Sequence, residues 1–121
     1  KPLLLATRYT MEHNFWKDRL KQRFALDVMI PEEQDRAIVH DVIFDELCRG
    51  IVEQSSRESY INIIEKAETN GADAVIFGCT EIGLLIGEKD TSLPVFDSTK
   101  LHARAAVDFR DGLLDVEAVA A

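Results

Sequence analysis

Cysteine is scarce in this chain, with only Cys48 and Cys79 among 121 residues. Two thiols do not make a disulfide scaffold, and no Cys or His pair has the spacing of a structural zinc site, so neither staple is expected to hold the fold. Free thiols in a reducing cytoplasm are the simpler expectation. Basic charge is scarce as well: 14 Lys and Arg stand against 22 Asp and Glu, for a formal net charge of −8. The cations are scattered among acids, which leaves no concentrated basic face for nucleic acid or an anionic membrane. Long apolar runs are also missing. None approaches the roughly 20 residues needed to cross a bilayer, and the run Leu3-Leu4-Leu5 soon gives way to Thr7 and Arg8, so it does not read as a secretory leader. There are no repeats, low-complexity tracts or internal linkers.

What remains is enough for one domain with a real core. Pro2 to Ala6 reads as a buried strand closing in Thr7-Arg8-Tyr9-Thr10. Thr10 is placed to cap a helix that carries Glu12 in its first turn and Phe15, Trp16 and Leu20 at helical spacing through about Arg23. Phe24 to Ile30 reads as a second strand, stopped by Pro31 because proline has no N–H for a sheet ladder. Ile38, Val39, Val42, Ile43 and Leu47 form a helical stripe ending at Gly50. Ser55 and Glu58 have the capping-box spacing for another helix through Ala67, closed by Asn70-Gly71. Ala72 to Phe77 is a short, almost wholly apolar strand, and Leu93 to Phe96 a last one. A closing helix from Leu101 to about Leu114 should turn Ala105 and Phe109 inward. Strands alternating with helices predict an α/β fold, a doubly wound, mostly parallel sheet flanked by helices, over 1–114, with a fraying tail over 115–121. The chain opens almost inside a strand, as a cut between two lobes would leave it.

In an open parallel sheet, ligands bind beyond the carboxyl ends of the strands. Two segments carry reactive groups there: Thr7-Arg8-Tyr9-Thr10, and Gly78-Cys79-Thr80-Glu81. Gly78 permits a tight turn, and a helix N-terminus after Cys79 would lower the thiol pKa, leaving it partly ionised near neutral pH. Free Cys is equally at home as a small, inert, buried hydrophobe. Cys48 sits at the C-terminal end of its helix, where the dipole disfavours a thiolate, and reads as structural. His13 and His40 read as surface or satisfied helix residues, whereas His102, just after Asp97-Ser98-Thr99, could face the edge that holds Cys79. Arg8 and Arg49 are the best-placed cations for a substrate carboxylate, with a solvated surface arginine as the plainer reading of each.

Several segments in order, Leu4-Leu5-Ala6-Thr7-Arg8-Tyr9-Thr10-Met11-Glu12, Asp45-Glu46-Leu47 with Gly50, Gly71-Ala72-Asp73-Ala74-Val75-Ile76-Phe77-Gly78-Cys79-Thr80-Glu81-Ile82, and Pro94-Val95-Phe96-Asp97 with Leu101-His102-Ala103, resemble the second lobe of the aspartate/glutamate racemase family. The resemblance implies a two-lobe enzyme that racemises an amino acid without pyridoxal phosphate, metal or any other cofactor, its two thiols exchanging the α-proton. It makes Cys79 the catalytic thiol of this lobe. Thr80, Thr7, Thr10 and Glu81 fall in the substrate-binding segments, and Arg49 matches a basic residue that some members use for the distal carboxylate. The first lobe, with its Cys-Asn-Thr thiol, has no counterpart here and is the implied partner. The isolated chain is therefore expected to be inactive, and a homodimer is possible. The same fold with a single thiol also suits an arylmalonate-decarboxylase-like lyase. A lobe used only for binding or dimerisation, with Cys79 idle, is the third reading.

Overall fold

Leu3, Leu4 and Leu5 are wholly withdrawn from solvent, as a strand covered on both faces requires. They lie in β1, Pro2–Leu5, which pairs in parallel with β2, Ala74–Phe77, in the register Pro2↔Ala74 to Leu5↔Phe77. The partner on the far side of β2 is β3, Val95–Asp97, also parallel, so the sheet order is β1-β2-β3. This computed structural model describes residues 1–115 and 117. Within them the three strands alternate with five α-helices: α1 Arg8–Glu12, α2 Asn14–Phe24, α3 Glu33–Asp41, α4 Gln54–Thr69 and α5 Ser98–Arg110. The tail expected over 115–121 lies, apart from Asp115 and Glu117, outside the described residues. Among the described residues no helix is long and apolar enough to cross a membrane.

Side chains alternate along a strand, so successive residues of β2 face opposite layers. Val75 and Phe77 pack into the main core with Val39 of α3 and Tyr60, Ile63 and Ile64 of α4. Tyr60 takes its phenol into this core because its O–H donates to the Val39 carbonyl at 2.7 Å. Ala74 and Ile76 face the other way, into an apolar groove of about 750 Å³ whose walls include Trp16 and Phe24 of α2 and Leu101 of α5. Helices thus lie on both faces of an open parallel sheet, the doubly wound arrangement.

Several local expectations are corrected. The strand foreseen over Phe24 to Ile30 shrinks to one bridge, Met29 beside Leu3, with Met29 N–H donating to the Pro2 carbonyl and Leu4 N–H donating to the Met29 carbonyl, both at 2.8 Å. Phe24 to Leu26 are spent in ending α2: Ala25 adopts the left-handed region at φ 56°, and its N–H and that of Leu26 return to the Lys21 and Leu20 carbonyls. Thr10 does not cap a helix. Thr7 is the extended residue at the start of α1, Thr10 lies inside that helix, and His13 separates α1 from α2.

The Ser55–Glu58 capping box does not form either, because α4 begins after Glu53 and Ser55 is already helical; its carbonyl accepts the Ser59 hydroxyl. Phe109 is half-exposed rather than inward, and α5 buries none of its residues fully. That helix starts earlier than expected, since the Asp97 carboxylate accepts the Thr99 and Lys100 N–H groups and caps it. The stripe ending at Gly50 is helical but irregular: α3 continues into a π-helical turn, Val42–Glu46, and a 3₁₀ turn, Leu47–Arg49, before Gly50 at φ 73°.

Gly78 follows β2 where the sheet is tightest. A Cβ there would lie 2.9 Å from Leu4 Cδ1 and 3.2 Å from Ala6 Cβ. Gly78→Ala is expected to cost about 1–3 kcal/mol of stability by overpacking this contact, read as a lower urea midpoint. An unchanged midpoint would mean that β1 yields to the added methyl group.

Candidate functional site

The parallel register that seats Leu5 against Phe77 also aligns the segments leaving the two strands. Gly78 N–H donates to the Leu5 carbonyl at 2.8 Å, so Ala6-Thr7 runs beside Gly78-Cys79. On the other side, the Ser98 hydroxyl donates to the Phe77 carbonyl at 2.7 Å and ties the start of α5 to the same edge. The carboxyl edge therefore gathers Thr7 and Thr10, whose hydroxyl oxygens are 3.4 Å apart, with Cys79, Thr80 and Glu81. These are the two segments that strand-end reasoning singled out.

Cys79 is half-buried, packed against the main core yet partly open at the edge. Its thiol donates to Glu81 Oε2 at 2.9 Å. Burial pushes the thiol up, the Glu81 carboxylate pushes it further, and Cys48 adds a little, while a backbone N–H of Glu81 opposes them; the result is about 11. Glu81 is shifted the other way, below the usual carboxylate range, first by the Cys79 thiol and then by the Thr80 hydroxyl. Both shifts say the same thing: the proton sits on sulfur and the carboxylate is charged.

The partly ionised thiol expected at neutral pH is thus corrected. After Thr80 the chain makes only a turn and a three-residue 3₁₀ helix, Ile82–Leu84, too short to present an appreciable dipole to sulfur. The nearest charge is an anion.

The remaining candidates are dispersed. Arg49 is exposed at the end of its 3₁₀ turn, with no ion pair or hydrogen bond among the described residues. Arg8 is exposed at the start of α1, and its backbone N–H donates to His40 Nδ1 at 3.0 Å. His40 is held by that bond and by ring contacts with Tyr9 and Phe44. His102 lines the groove on the sheet face with Ala74, Ile76, Ser98 and Leu101, a lining that does not include Cys79. His13 is exposed between α1 and α2.

One neighbour of the thiol escaped sequence reasoning. Tyr60 is near enough for Cys79 to raise its phenol pKa, after burial and ahead of Glu46. In a helical apolar stripe a tyrosine reads as core, and no local signal marks it otherwise. Ser56, also in α4, is buried and donates to the Glu46 carboxylate at 2.6 Å, anchoring the π-helical turn. Among the described residues no group of three His, Cys, Asp or Glu side chains could hold a metal ion.

The profile of the Asp/Glu/hydantoin racemase family matches residues 1–106. Among solved structures, a Yersinia pestis protein assigned as an Asp/Glu racemase is 47% identical, with a TM-score of 0.83 over 88% of this chain and 46% of its own. An aspartate racemase homologue from Pyrococcus horikoshii is 33% identical, with a TM-score of 0.80 and the same coverage. The aspartate racemase of Picrophilus torridus is 28% identical, with a TM-score of 0.60 over 79% of this chain and 38% of its own. The chain therefore spans less than half the length of these structures.

At pH 8 a thiol reagent is expected to show two classes, fast for exposed Cys48 and slow for Cys79. Cys48→Ser should remove the fast class alone. Two equally fast thiols would contradict the environment described for Cys79.

Proposed function

The chain belongs to the Asp/Glu/hydantoin racemase family, and from that premise we propose that it is the second, thiol-bearing lobe of a cofactor-independent racemase acting on aspartate or glutamate. The observation that carries this reading is Cys79 held as a thiol at the carboxyl edge of β2, beside the Thr7–Thr10 segment. Inverting an α-carbon requires a proton to leave one face and another to arrive at the opposite face. One fixed side chain cannot reach both faces, so a thiolate base and a thiol acid must flank the substrate and exchange roles for the opposite enantiomer.

In this reading Cys79 is one of the two, and at rest it is the acid. Burial and the Glu81 carboxylate keep the sulfur protonated at neutral pH. The α-hydrogen is only weakly acidic, so the carbanion that forms needs donors preset around its carboxylate. The hydroxyls of Thr7 and Thr10 supply such donors, with Thr80 beside them engaged by Glu81, and the exposed Arg49 guanidinium is a candidate for the distal carboxylate.

The second thiol is assigned to a first lobe. The relatives' chains are more than twice as long as the part matched, and the apolar groove between α2 and α5, with exposed Phe24 and Leu101 on its walls, is the kind of face that a further element covers. A second copy of the chain is the other candidate cover. The free thiols suit a reducing cytoplasm. One observation favours a second chemistry: a resting, protonated Cys79 with a single thiol at the edge also fits an arylmalonate-decarboxylase-like lyase, which needs one proton donor.

Joined to a first lobe that carries a thiol, the chain is expected to interconvert L- and D-aspartate or glutamate in D₂O with deuterium appearing at the α-carbon. Cys79→Ala should lower both directions by about 10²–10⁴-fold, and the chain without that lobe should give no racemisation. Racemisation that survives Cys79→Ala would overturn the role of Cys79. Arylmalonate turnover without amino-acid racemisation would select the lyase, and neither activity would leave a binding lobe.

A further inference from the structure

Glu81 falls in a segment read as substrate-binding, but its carboxylate is engaged elsewhere: Oε2 accepts the Cys79 S–H at 2.9 Å. We propose that Glu81 is a positioning residue for Cys79, holding the sulfur in its protonated form, so that Cys79 rests as the proton donor. The proposal rests on the reading of Cys79 as an acid/base thiol.

The geometry confines the role to this pair. Glu81 lies two residues beyond Cys79 in a turn that also brings the Thr80 hydroxyl to the same carboxylate. The titratable groups facing the sulfur are Glu81 itself, Tyr60 from α4 and Cys48 from the 3₁₀ turn after α3. None is a cation. A thiolate here would stand beside an existing anion, so the electrostatics disfavour it beyond what half-burial alone would do. When Cys79 protonates a carbanion, the S–H bond breaks, a C–H bond forms with the carbanion's electron pair, and the thiolate left behind faces the Glu81 carboxylate. That repulsion raises the sulfur's affinity for a proton, which it takes from the α-carbon of the opposite enantiomer or from solvent.

Two consequences separate this role from a structural one. The first concerns sulfur. In a Cys48→Ser background, where Cys79 is the only thiol, Glu81→Gln keeps an acceptor near the sulfur but removes the charge. Alkylation by iodoacetamide at pH 8 is expected to accelerate at least tenfold, the equivalent of one unit in thiol pKa, with Glu81→Asp retaining the slow rate in part. The second concerns the carboxylate and leaves residue 81 intact. Because the Cys79 thiol is the first cause of the low Glu81 pKa, Cys79→Ala should raise the Glu81 titration, followed by carboxyl ¹³C NMR between about pH 3 and 6.

Alkylation unchanged in folded Glu81→Gln, together with a Glu81 titration indifferent to Cys79→Ala, would overturn the proposal and leave burial as the sole control of the thiol. Should Glu81→Gln unfold, the carboxyl titration decides alone. Neither measurement needs turnover. A chain that proves not to be a racemase lobe would still answer the question about Glu81, and an active racemase with an indifferent Glu81 would lose this inference while keeping its function.

Discussion

Leu3, Leu4 and Leu5 have no contact with solvent, and a strand without a solvated face must find backbone partners on both of its edges. β2 supplies one edge through four residue pairs, and the Met29 bridge supplies part of the other. Because side chains alternate, moving β2 by one residue would turn Val75 and Phe77 out of the core and bring Ala74 and Ile76 in. The register is therefore held by burial on both faces. The site is a consequence of that register: with Leu5 opposite Phe77, the segments after the two strands leave the sheet side by side, and Gly78 fits only because it has no side chain to meet Leu4 and Ala6.

At that edge the local electrostatics differ from those of an activated nucleophile. A reactive thiol usually has a cation or a helix N-terminus to favour its ionised form. Cys79 has a carboxylate at 2.9 Å and half-burial, and both favour the neutral form. Such a thiol is a poor nucleophile and a competent proton donor. This fits chemistry that moves a proton to carbon better than chemistry that attacks an electrophile.

The two faces of the sheet are unequal. α3 and α4 close one of them with a continuous cluster built on Val39, Tyr60, Ile63 and Ile64. On the other, α2 and α5 stand apart over a groove floored by Ala74 and Ile76, and α5 buries none of its residues fully. The imbalance accounts for Phe109, an apolar residue at helical spacing that is half-exposed.

Order and type of the main elements were legible from local chemistry, because apolar runs and helical stripes report burial directly, as in β1, β2 and the Tyr60-Ile63-Ile64 face of α4. Glycine, cysteine and the two threonine-bearing strand ends were legible for the same reason, as residues that interrupt those runs. Element starts were not, since Thr7 and Glu53 begin their helices through extended backbone without a side-chain cap and Asp97 through its carboxylate, whereas Thr10 and Ser55 resemble caps in composition alone. Nor was the strand at Phe24 to Ile30, where the end of α2 claimed residues that looked extended. The sequence by itself determined a parallel α/β fold with a cysteine at the end of a buried strand. Only the tertiary structure decided the state of that cysteine, because a thiol's proton affinity depends on burial and on which charges reach it in space. Here that meant half-burial of the sulfur and Glu81 folding back onto it.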